Sequence, residues 1–257
     1  MSHLTDKDLA NLGARGLLVG PHENEEAFFL RIQEKMTTSR PPIQLENIFS
    51  ILPDWVEIKD SNKNLLPWQG GFTEIEGRNI FIQLRKGEGK IWMVYSKEEL
   101  LAHELVHAAR MAFEEPIFEE ILAYQTSHSK FRRFYGPIFR TSLESLFFLT
   151  TLLTLAIVNL FYMITEFLIV GSLIPLSFFL WRLCANQRKF RRARQNLKSF
   201  LGCEKKALSF LLSLTDQEIF LFSSANTSEI KAYISRQTSL RWRQMRVRFL
   251  DGMSLAS

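Results

Sequence analysis

The chain has 257 residues, of which 46% are hydrophobic and 23% charged, with a formal net charge of +5. These fractions exclude a mostly disordered or collagen-like chain, and the length is room for one or two domains with a sizeable core. Two cysteines, Cys184 and Cys203, exclude a disulfide framework and any cysteine-rich zinc module.

Residues 2–34 read as helical: Leu4, Leu9 and Leu12 come first, then a break at Gly20-Pro21, then EEAFFLRIQEKM. The opening stretch lacks the charged-then-apolar pattern of a secretory signal, which fits the expectation of a cytoplasmic N-terminal region. Residues 37–42 are polar and Pro-rich and read as a linker, so 1–42 form an N-terminal helical region. Short β-like pieces follow at 55–59 and 72–76. Residues 79–85 and 90–95 flank a Lys-Gly-Glu-Gly turn, a hairpin signal. Ser96 and Glu99 then form a capping box that opens a helix through Phe113.

That helix carries His103-Glu104-Leu105-Val106-His107. The i, i+4 spacing puts both imidazoles on one face about a turn apart, where each can offer a nitrogen to one Zn²⁺. Glu104 follows the first histidine and is placed to act as general base on a water whose pKa the metal lowers to about 7. Catalytic zinc needs a third protein ligand and an open fourth position. Pro116 suits the first turn of a second helix, which brings Glu119, Glu120, Tyr124 and His128 as candidates.

These residues resemble the gluzincin-type zinc metallopeptidases: HELVH on one helix, then a Glu on the next in an E-x-x-A-aromatic setting. The resemblance covers residues 96–124. It implies Zn²⁺ held by His103, His107 and Glu120, with Glu119 the next candidate ligand and His128 the one after. Relatives often carry an Asp where Tyr124 stands, so this chain departs from the pattern that supports the zinc histidines. No Met-turn or extended histidine pattern of the metzincin kind follows the motif. The resemblance further implies hydrolysis of a peptide or protein substrate, Glu104 moving a proton from water to the leaving amine. An extended substrate would pair with a strand edge, and an electrophile would stabilise the oxyanion. Tyr124, His128, Arg132, Arg133 and Tyr135 are the nearby options for the latter.

From 146 to 183 the chain is almost wholly apolar, with only Glu166 and Arg182 charged. One spanning helix needs roughly 20 apolar residues; this run is nearly double. A single helix would be about 57 Å long and leave Glu166 in hydrocarbon at a cost of a few kcal/mol. Two spans, 146–164 and 167–183, put Thr165 and Glu166 at a wet turn instead; because both are short, a re-entrant hairpin that dips in without crossing is the second reading. Basic residues on both flanks direct both termini to the cytoplasm, as in a bacterial inner-membrane protein. The cluster from Arg188 to Arg194 would attract anionic lipid headgroups at about 1 kcal/mol per charge. That role outranks nucleic-acid binding, for which no recognised motif is present. Thr215 and Glu218 form another capping box, 226–235 read as a short helix, and 239–249 as a helix carrying Arg241, Arg243, Arg246 and Arg248.

The expected architecture is therefore α+β. A zincin-like metallopeptidase domain at 43–140 precedes a two-helix transmembrane hairpin at 141–184 and a basic helical cytoplasmic domain at 185–257. The rival reading is a non-enzymatic membrane scaffold or pseudo-peptidase whose helical tail binds a partner. Substrate and oligomeric state are not readable from the sequence.

Overall fold

The computed structural model describes residues 4–33, 41–63, 65, 71–76, 79–86, 90–91, 95–162 and 165–251. Most of the linker expected at 37–42, the tip of the Lys-Gly-Glu-Gly turn and residues 163–164 at the end of the first expected span lie outside these residues. Within them the chain is mixed α and β, mainly helical, with one three-stranded sheet.

Capping residues set where the first helices begin. Thr5 and Asp8 pair reciprocally at the start of α1 (Asp6–Ala14), each side chain satisfying the other's backbone amide. Asn24 accepts from Ala27 N–H to open α2 (Glu25–Ile32). Both helices were expected, on either side of the Gly20-Pro21 break. The next, α3 (Ile43–Phe49), was not: its signal is the i, i+4 pair Leu45 and Phe49, both fully buried.

The sheet joins β1 (Glu57–Asp60), β2 (Gly71–Glu76) and β3 (Asn79–Leu84) in the order β1-β3-β2. β1 runs parallel to β3, and β2 runs antiparallel to it. This corrects the expected hairpin, in which 79–85 paired with 90–95. β3 pairs instead with β2, Glu76 opposite Asn79, so only Gly77 and Arg78 connect them. A two-residue connection is the commonest hairpin loop and the cheapest to close. β4 (Lys90–Ile91) folds onto β5 (Tyr95–Ser96) as a separate short ladder.

Ser96 caps α4 (Lys97–Arg110), accepting from Glu99 N–H. The expected capping box is only half formed. Glu99 is buried and its carboxylate takes both terminal contacts from Arg132 Nη2, at 2.7 and 2.9 Å, because a charge-assisted bidentate pair outcompetes a single amide. Buried Ala102, Leu105, Val106 and Ala109 seat α4 in the core, and the helix packs against β2 and β3.

α5 (Glu119–Ala123) is shorter than the sequence implied. It starts three residues after Pro116, tightens into a 3₁₀ turn at Tyr124–Thr126, and stops. The hydroxyls of Ser127 and Ser129 accept from Ser129 N–H and Arg132 N–H, drawing the backbone out of helix before α6 (Lys130–Tyr135). His128 therefore does not share a helix with Glu120.

α7 (Ser142–Tyr162) packs against α8 (Thr165–Leu201), a single helix that runs from the apolar stretch through the basic one. Thr165 and Glu166 are its first residues. Arg182 ties the foot of the pair, donating to both Glu144 oxygens at 2.5 Å. One helix, Ser142–Phe161, is long and apolar enough among the described residues to cross a membrane. A second span at 167–183, and with it the two-helix transmembrane hairpin, is not shown. Each helix has large apolar side chains facing outward: Phe147, Leu153 and Phe161 on α7, Ile174, Phe178 and Trp181 on α8.

Beyond the apolar stretch, Phe190, Ala193 and Leu197 of α8 are buried, and the helix packs against α9 (Glu204–Leu211), α10 (Asp216–Phe222) and α11 (Thr227–Ser235). α12 (Leu240–Phe249) closes back on α1. Gln244 stitches them: its amide donates to the carbonyls of Leu9 and Leu17, and its Oε1 accepts from Val19 N–H. One core runs from Leu17 to Leu250, so 1–42, 43–140 and 185–257 all contribute to it.

The arginines of α12 serve this packing. Arg241 is buried against Glu218, Arg243 pairs with Asp6, and Arg246 donates to the carbonyls of Ile234 and Gln237. Arg248 lies against Gly13, where a Cβ would collide with it, and burial lowers its pKa to about 10.

Candidate metal centre

α4 and α5 each present polar side chains to the space between them. His103 Nε2 lies 3.2 Å from His107 Nε2. Glu120 Oε2 lies 3.5 Å from His103 Nε2, and Glu120 Oε1 lies 3.4 Å from His107 Nε2. Zinc bonds of about 2.0–2.1 Å in a tetrahedron require ligand atoms about 3.3–3.4 Å apart. All three separations match that edge, so the residues present fit a divalent metal. Among the described residues, these three form the group that could hold one.

Burial and neighbouring charge act differently on the three side chains. Burial, reinforced by the charge on His107, lowers the pKa of His103. Burial also works against charge on His107, but hydrogen bonds to Glu119 and Glu120 outweigh it and hold its pKa well above the ordinary value. The same contact with His107 overcomes burial at Glu120 and keeps its carboxyl below the usual range.

Glu119 has a different place from Glu120. Its Oε1 sits 2.9 Å from His107 Nδ1, on the far side of the ring from Nε2, where it fixes the tautomer that leaves Nε2 free. This supplies the acidic support that the sequence pattern lacked at Tyr124. Behind it stands Arg110, fully buried, with Nε 3.8 Å from Glu119 Oε2 and Nη1 donating to the carbonyls of Leu212 and Leu214. Asp216 accepts from Ile117 N–H and Phe118 N–H just before α5. The C-terminal helices therefore brace both the histidine support and the entry to the glutamate helix. Nothing in the motif signals that role; it depends on contacts about a hundred residues apart in sequence.

Glu104 turns toward the sheet, where Thr73 Oγ1 on β2 donates to its Oε2 at 2.8 Å. Tyr124 stands edge-on to His103, ring centroids 4.7 Å apart, and fills the space where Gly136 lacks a Cβ. His128 is exposed and lines a separate cavity of about 240 Å³ with Arg133. Arg132 is engaged by Glu99, and Tyr135 is exposed beside Phe131. Of the oxyanion candidates, the fold brings Tyr124 to the histidines.

No protein-family model, curated protein or solved structure matches this chain. The motif and the geometry alone carry the functional reading.

Glu119→Gln is expected to weaken zinc affinity about 10–100-fold, the usual effect of losing a partner that orients a ligating histidine. Competition with a chromogenic chelator measures it. Unchanged affinity would mean that Glu119 does not orient His107.

Proposed function

We propose that this chain is a membrane-anchored, zinc-dependent metallopeptidase. The observation that carries the reading is the match of the three His103, His107 and Glu120 separations to the edge of a zinc tetrahedron. Zinc, when bound, supplies a Lewis acid for the scissile carbonyl and lowers the pKa of water to about 7.

The chain's own residues supply the rest. Glu104, held by Thr73, accepts a proton from the attacking water and delivers it to the leaving amine. Glu119 and Arg110 keep His107 in register. The anchor reading is supported by the outward apolar faces of α7 and α8. Solvent-facing Leu and Phe on this scale are costly in water and favourable in lipid. Basic residues on both flanks favour cytoplasmic termini. Arg188, about a turn and a half beyond the end of the apolar stretch, is the member of the Arg188 to Arg194 cluster nearest the lipid surface. Arg194, about 18 Å past Arg182 along the same helix, would lie beyond a Debye length if α8 stands upright.

The test is hydrolysis of a peptide library by the full chain in detergent. Activity should disappear on chelation and return with added zinc. Zinc binding without hydrolysis of any peptide would favour a pseudo-peptidase scaffold.

A further inference from the structure

Building on the peptidase reading, we propose that the substrate is a polypeptide held at the membrane, cleaved in a segment lying at the bilayer surface. A cavity of about 370 Å³ adjoins the metal centre, lined by His107, Glu114, Glu115, Glu119, Glu120 and Arg140. Arg140 is the wall shared with the anchor. It precedes Ser142, the first residue of α7, by two positions, which an extended chain covers in about 7 Å.

The dimensions of the bilayer then fix the depth of the cavity. The apolar helix Ser142–Phe161 has 20 residues and rises about 30 Å, the thickness of the hydrocarbon core. Its first residue therefore marks the hydrocarbon boundary. Headgroups occupy about 5–7 Å outside that boundary on each side, and Arg140 falls within this layer. The wall is fastened there rather than hung on a slack linker. Arg140 N–H donates to Glu144 in the first turn of α7 at 2.8 Å, and Arg182 at the foot of α8 donates to the Ile138 carbonyl at 3.2 Å.

A site at this depth meets segments that emerge from or lie along the membrane. A soluble peptide must find it by diffusion, whereas a membrane-anchored one is confined to the same surface at high effective concentration. Hydrolysis itself is unchanged: water adds its hydroxyl to the scissile carbonyl carbon, and its proton leaves with the amine.

The experiment uses the full chain, zinc-loaded, in vesicles of phosphatidylcholine and phosphatidylglycerol. The substrate is a single-span polypeptide carrying a randomised cleavable segment. The segment lies directly beside the span, or behind a helical spacer of about 20 residues, roughly 30 Å long. The adjacent segment should be cut about 10²-fold faster than the same segment as a free peptide, and the spacer should remove that advantage. Equal rates for the free and adjacent segments would overturn the proposal and leave the peptidase reading standing. Depth is read independently of catalysis by a fluorophore on Glu114→Cys in a Cys184→Ala, Cys203→Ser chain. Headgroup-attached nitroxide should quench it more strongly than nitroxide deep in the acyl chains; no quenching by the headgroup label would overturn the location. Hydrolysis of vesicle lipid with every polypeptide left intact would overturn both the substrate class and the peptidase reading.

Discussion

Glu104→Gln is expected to lower peptide hydrolysis by about 10²–10⁴-fold, the usual contribution of a positioned general base, while leaving the zinc content of the protein unchanged. The substitution is nearly isosteric. Thr73 Oγ1 can still donate to the amide oxygen as it does to Glu104 Oε2 at 2.8 Å, and the three ligand side chains are untouched. What is lost is the capacity to take a proton and return it. Measuring kcat/KM together with bound zinc separates this effect from a folding defect. Activity within a few-fold of wild type, at full zinc content, would remove Glu104 from the chemistry.

Glu218→Ala is expected to be the most damaging substitution for stability, costing about 3–5 kcal/mol because it leaves a buried guanidinium without its counter-charge. Glu218 is buried and accepts from Arg241 Nη1 at 2.9 Å and Nη2 at 2.6 Å, from Trp242 Nε1, from the Tyr233 hydroxyl and from Thr215 N–H. The same cluster holds the start of α10, where Asp216 receives the amides of Ile117 and Phe118. For a chain of this size the loss corresponds to a fall in Tm of roughly 6–20 °C. Thermal unfolding in detergent measures it. Tyr233→Phe, which removes one peripheral hydrogen bond, should cost only about 1 kcal/mol. Equal, small effects for both would refute the hub.

The difference between these two sites explains how much the sequence revealed. His103, Glu104 and His107 lie on one helix, so helical periodicity alone fixes their relative placement, and Glu120 needs only one turn of chain to return to them. Ser96, Thr215, Asn226 and Ser239 act within a few residues of themselves, and each marks a helix start as read. The hairpin signal at Lys-Gly-Glu-Gly pointed residues 79–85 to the wrong partner, because the connection back to β2 is shorter still. Glu119, Arg110 and Asp216 could not be assigned in this way. Their partners come from Leu212, Leu214 and α5, and no local pattern distinguishes a buried arginine bound to distant carbonyls from a surface one. The arginines of α12 misled for the same reason: counted in the sequence they suggest a basic surface, but in the fold they are matched by Glu218, Asp6 and backbone carbonyls.

The most direct test of the metal centre is the zinc content of the purified full chain, beside His107→Ala, after equilibration with zinc and removal of the excess. The geometry of His103, His107 and Glu120 predicts stoichiometric zinc in the wild-type chain and none retained by the variant, with circular dichroism alike in both. A wild-type chain that is folded and free of zinc would contradict it.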